Sequence, residues 1–89
     1  MIEKQLTIIN KLGLHARAAA KFVSTAGRFA CTVRVIKGGQ EVDGKSIMAV
    51  MMLAASIGTL LLIRTDGEDE QACMEAIETL INNYFDEGE

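Results

Sequence analysis

The chain has 89 residues, 49% of them hydrophobic and only 4% aromatic, and a formal net charge of −3. That length holds one small domain with a modest core, and the absence of linkers, repeats or low-complexity tracts predicts a single ordered unit over 1–89. No secretion signal is read at the N-terminus, and the apolar runs 47–57 and 60–63 fall short of the ~20 residues that span a bilayer, so a cytoplasmic protein without membrane insertion is expected.

In chain order, Ile2, Lys4, Leu6 and Ile8 alternate with polar residues and predict a strand. A loop follows over 10–14. Residues 16–26 are alanine-rich, with Ala19, Phe22, Val23 and Ala26 at helical spacing and Gly27 placed to stop the helix. A strand over 31–37, the Gly38-Gly39 turn and a short return strand over 40–42 predict a hairpin. Ser46 then precedes a second helix, 47 to about 55, and a strand runs from 59 to 65. An acidic turn, 68–70, opens the last helix, with Ala72, Cys73, Ala76, Ile77, Leu80, Ile81 and Tyr84 as its apolar stripe. The order βαββαβα predicts an α+β open-faced sandwich, a four-stranded antiparallel sheet with three helices on one face. Cys31 and Cys73 lie in apolar patterns and read as buried thiols of a reducing compartment.

Charge is unevenly distributed. All nine Lys and Arg lie at or before Arg64, so residues 1–65 carry +6, whereas 66–89 carry −9. The acidic end reads as a solvated helix. The basic part suits an anion or an acidic protein; nucleic acid is disfavoured by the few aromatics and the lack of a continuous basic cluster.

The single histidine stands in Gly13-Leu14-His15-Ala16-Arg17, where loop becomes helix. At a helix N-terminus, unpartnered backbone N–H groups and the dipole favour an anion. Arg17 adds a fork of charged donors, and Lys11 and Lys21 add weaker attraction. A neutral imidazole nitrogen is a nucleophile toward phosphorus, and phosphoryl transfer needs chiefly positioning and charge stabilisation. Gly13 suits close approach of a partner and unusual backbone angles. The competing reading is a histidine that only caps the helix, with Arg17 an ordinary surface residue. A metal site is weaker still, because one histidine without nearby ligands closes no coordination shell.

Gly13 to Arg17, taken with Lys45-Ser46-Ile47-Met48-Ala49-Val50-Met51, resembles the HPr family, the histidine-containing phosphocarriers of the bacterial phosphotransferase system. The resemblance covers essentially the whole chain. It implies a stoichiometric carrier, not a self-sufficient enzyme, that needs no cofactor or metal. His15 would accept phosphate from phosphorylated Enzyme I and pass it to IIA proteins of a sugar or nitrogen-related branch. Arg17 and the amides of Ala16, Arg17 and Ala18 would hold the phosphate. It implies a monomer whose partner surface comprises Leu12, Ala20, Lys21 and Ser24 together with Ile47, Met48 and Met51. The family usually carries proline where this chain has Ala18, which restores an N–H and puts the rigidity of the site in question.

Ser46 reads first as an N-cap; the resemblance adds phosphorylation by an HPr kinase/phosphorylase, whose charge would oppose docking of Enzyme I. Ile47, Met48, Met51 and Met52 cannot all face a core from one short helix, and an exposed apolar patch beside His15 is expected from them. Residues 39–46 also satisfy the nucleotide-binding pattern G-x-x-x-x-G-K-[ST]. The hairpin and strand predicted there, and the acids Glu41 and Asp43, argue that this match is accidental. A small ligand-sensing module of similar topology is the alternative from another class, and an NTPase the third.

Overall fold

The structure is a computed structural model and describes residues 1–87. Its elements are β1 (Ile2–Thr7), α1 (Ala16–Ala26), β2 (Thr32–Lys37), β3 (Gln40–Asp43), α2 (Ile47–Met52), β4 (Leu60–Asp66) and α3 (Glu70–Asn82), closed by a 3-10 turn over Tyr84–Asp86. The strands form one antiparallel sheet in the order β1-β4-β2-β3, with Leu6 opposite Leu61 and Val35 opposite Ile63. Alternation sends Leu6, Ile8, Leu61, Ile63, Val33 and Val35 to the helical side, where they meet Phe22, Val50, Ile77 and Ile81. The open-faced sandwich expected from the element order is what the chain forms.

Lys37 pairs with Gln40 across Gly38-Gly39, the two-residue hairpin read from sequence. Residues 40–43 of the nucleotide-binding pattern are therefore strand, and the amide of Gly44 is spent on the Val33 carbonyl at 2.7 Å. No phosphate-cradling loop exists there. The open face carries a row of ion pairs, with Arg64 Nε 2.7 Å from Glu3 and Arg34 Nε 3.1 Å from Glu41.

Three expectations need correction. Helix α2 stops at Met52, not near Ala55, because Leu53 and Ala54 close i→i−3 turns and Ala54 takes φ +51°. Helix α3 begins at Glu70. The Asp69 carboxylate, intended for the helix dipole, instead accepts the N–H groups of Ala30 and Cys31 at 2.8 and 2.9 Å. Finally, Ala72 and Tyr84 are exposed, and Met74 and Phe85 fill the core in their place. The exchange at the end follows from backbone conformation. Tyr84, Phe85 and Asp86 all adopt positive φ, 57°, 53° and 62°, which turns Phe85 inward and Tyr84 outward. Such conformations cost about 1–2 kcal/mol per residue. Complete burial of Phe85 and a 2.7 Å hydrogen bond from Lys21 Nζ to its carbonyl oppose that strain.

Candidate functional site

The loop before α1 is locked from within. Asn10 is fully buried, its Nδ2 donates to the Gly13 carbonyl at 2.8 Å, and the Gly13 N–H returns to the Asn10 carbonyl at 3.2 Å. The Leu14 N–H donates to the Ala55 carbonyl at 2.8 Å, which ties this loop to the α2–β4 connection. Gly13 has φ +67°, and a Cβ there would stand 2.5 Å from the Ala55 oxygen. The chain's own backbone thus makes a close approach that demands glycine here.

These contacts set His15 at the N-cap of α1 with φ −72° and ψ 176°. Its carbonyl accepts the Ala19 N–H at 2.8 Å, but its side chain makes no capping bond. The capping-histidine reading therefore fails. The amides of Ala16, Arg17 and Ala18 find no acceptor among the described residues, and the first turn holds no acid. The N-terminus of α1 thus carries N–H donors and no acid, an arrangement that suits an anion.

Arg17 is exposed and engages no carboxylate among the described residues. With His15, Lys11, Leu12, Lys21 and Glu87 it lines an open cleft of about 660 Å³. Lys21 differs from expectation. Its Nζ is committed to the Phe85 carbonyl at 2.7 Å, so its role here is to hold the C-terminal segment. Ala20 and Ser24 lie exposed along α1.

Sequence reading missed Glu87. One of its oxygens lies 2.8 Å from His15 Nε2, and the two side chains are only 13% and 27% exposed. Nε2 is out of contact with solvent, and the carboxylate sits off the line a hydrogen bond prefers. At that separation the charge of the carboxylate still acts on the ring. The other Glu87 oxygen is 3.4 Å from Asn10 Nδ2. The His15 side chain holds the Glu87 carboxyl below the usual carboxylate range, against the opposing effect of burial. No pattern in the sequence links Glu87 to His15, and the acidic end, read as a solvated face, is not wholly one.

Ser46 caps α2 as expected, its Oγ accepting the Ala49 N–H at 3.4 Å. In the six-residue α2 only Val50 is buried. Ile47, Met48, Met51 and Met52 are exposed, as is Leu12 on the loop before α1. Among the described residues no cluster of His, Cys, Asp and Glu suits a metal ion, and no helix is long and apolar enough to cross a membrane.

A family model described as the PTS HPr component phosphorylation site matches residues 2–83. The chain belongs to the HPr family. It is 64% identical over 86 residues to the phosphocarrier protein HPr of Pseudomonas aeruginosa, covering 96% of each chain. Among solved structures, the HPr-C-His crystal structure from Thermoanaerobacter tengcongensis superposes at a TM-score of 0.95, with 41% identity and 98% of each chain covered. An HPr dimer from the same organism matches at a TM-score of 0.77, with 41% identity over 96% of this chain and 98% of the other. HPr proteins are phosphocarriers of the phosphotransferase system, and that coarse function belongs to this chain. The departure at Ala18 leaves a helical first turn: Ala18 is fully buried within α1.

Proposed function

We propose that His15 accepts a phosphoryl group from phosphorylated Enzyme I and delivers it to IIA proteins of the phosphotransferase system. The observation that carries this reading is a partly exposed imidazole at a helix N-cap, its side chain making no capping bond, beside three amides and an Arg17 that have no partner among the described residues. A transferred phosphoryl group meets donors already in place there, and catalysis reduces to positioning and charge stabilisation. The chain serves as a stoichiometric carrier, a single domain over 1–89, monomeric and cytoplasmic. It turns over only with partners.

Leu12, Ile47, Met48 and Met51, with Ala20, Lys21 and Ser24, form the surface those partners share. Flexible methionine side chains adapt to more than one protein. Ser46 is the regulatory position, the target of an HPr kinase/phosphorylase. A phosphate at the start of α2 leaves the helix intact and places about −1.5 to −2 charges next to that surface.

Incubation with phosphoenolpyruvate and Enzyme I tests the reading. Wild type acquires acid-labile phosphate and His15→Ala acquires none. Arg17→Ala accepts it about tenfold more slowly, the scale of a lost charge-assisted hydrogen bond. Ser46→Asp is slowed at the docking step, seen as a raised KM for Enzyme I. Equal labelling of His15→Ala and wild type sinks the assignment.

A further inference from the structure

The chain has five methionines, and the six-residue α2 holds three of them, Met48, Met51 and Met52. These three are 66%, 37% and 71% exposed, whereas Met74 is only 2% exposed in the core. We propose that Met48 and Met51 form a reversible oxidation site: a peroxide converts their thioethers to sulfoxides, and docking of Enzyme I weakens until they are reduced again. This inference rests on the reading that places both side chains on the docking surface.

A methionine side chain carries no charge and no donor, and it binds through flexible apolar contact. Oxidation adds one oxygen to the sulfur and makes the tip polar and chiral. On α2 that change falls on the solvent side, because Val50 is the one buried residue of the helix. The Ser46 cap and the Val50 N–H bond to the Ser46 carbonyl hold α2 without help from a thioether. The fold therefore tolerates the oxygen, and the cost appears only when a partner strips water from it. Met48 and Met51 are three residues apart, so they are neighbours on the helix surface and place both sulfoxides in one contact area.

The thiols that would compete for peroxide are withdrawn. Cys31 and Cys73 are buried, and burial pushes both thiols up, Cys73 to about 12, so that neither offers a thiolate. Solvent-facing sulfur in this chain is methionine sulfur, and α2 carries most of it. Met1, also exposed, stands at the far end of β1 from the loop before α1, roughly 20 Å of strand away.

In the oxidation a sulfur lone pair attacks one oxygen of hydrogen peroxide. The O–O bond breaks, its electron pair leaves with the other oxygen, and proton transfer yields the sulfoxide and water. Sulfur loses two electrons and the peroxide gains them. The return takes two electrons from a dithiol, which ends as a disulfide, while the sulfoxide oxygen leaves as water; methionine sulfoxide reductases catalyse it.

Three full-length proteins test this: wild type, Met48→Leu with Met51→Leu, which keeps apolar bulk without sulfur, and Met48→Gln with Met51→Gln, which is polar without oxidant. Each is compared with itself before and after hydrogen peroxide, in transfer from phosphorylated Enzyme I, with oxidised positions read by peptide mass spectrometry. In wild type, Met48 and Met51 should gain oxygen well ahead of Met74. KM for Enzyme I should then rise about tenfold with kcat and the urea midpoint unchanged, and methionine sulfoxide reductases with a dithiol should restore it. Peroxide should leave the KM of the leucine variant where it began. An unchanged KM in oxidised wild type, an equal rise in the leucine variant, a loss that the reductases do not reverse, or oxidation of Met48 and Met51 no faster than Met74 would each overturn the proposal. If the glutamine variant docks as untreated wild type does, the surface reading fails and this inference falls with it. A raised KM there, beside an oxidised wild type that docks normally, removes only the oxidation site.

Discussion

At Gly13 two requirements coincide in one residue. The backbone stands at φ +67°, and the space where a side chain would begin is held by the Ala55 carbonyl, 2.5 Å away. Gly13→Ala combines left-handed strain with a backbone clash, so a loss of about 2–4 kcal/mol is expected by urea denaturation. The Leu14–Ala55 hydrogen bond would weaken with it, and His15 would lose its fixed approach to α1. Gly13 was singled out in the sequence for its conformational freedom, correctly. What crowds it is not legible there, because that neighbour lies 42 residues later in the chain. Glu87 is the opposite case: it makes the closest polar contact on the His15 ring among the described residues, yet it belongs to no motif.

At the scale of elements, the C-terminal turn couples stability to the site. Phe85→Ala empties a fully buried aromatic position and should cost about 3–5 kcal/mol, read as a lower denaturation midpoint. The same change removes the anchor of the segment that sets Glu87 beside His15. Helix α3 was expected to continue its stripe through Tyr84. Periodicity cannot report where a helix yields to a left-handed turn, since Tyr84 and Phe85 are adjacent and equally apolar in pattern. The shortening of α2 has a similar cause. The Ala55 carbonyl serves the loop before α1, and a helix continued through Ala55 would not present it there.

Across the whole molecule the basic residues divide by duty. Lys4, Arg34 and Arg64 pair with carboxylates, while Lys21, Lys37 and Lys45 donate to backbone carbonyls. Lys11 and Arg17 have no such partner among the described residues, and both line the His15 cleft. Arg28, also without such a partner among the described residues, is exposed at a separate cleft beside Thr25 and Leu80. Carboxylates tie distant segments together and set the response to acid. Asp69 is held below its usual range by the N–H of Ala30 above all, Glu70 by the N–H of Gly67, and Glu87 by His15. Each binds its proton less readily folded than unfolded. Their contribution is therefore complete above about pH 4–5 and is lost as pH falls through the lowered folded values. Urea midpoints measured downward from pH 5 should decline most steeply below about pH 4, and Asp69→Asn should flatten part of that decline. Burial pushes the Cys73 thiol up to about 12, and that of Cys31 up as well, so alkylation at pH 8 should require unfolding.

The sequence alone determined the sandwich, the hairpin at Gly38-Gly39, the place of His15 at the start of α1, the cap at Ser46, and the family motifs. Each of these is written in neighbouring residues, through periodicity, turn chemistry or a contiguous signature. The tertiary structure alone decided which carbonyl crowds Gly13, where α2 and α3 stop, which bases remain unpaired, and that Glu87 faces His15. Those depend on segments far apart in the chain, and only packing brings them within hydrogen-bond reach.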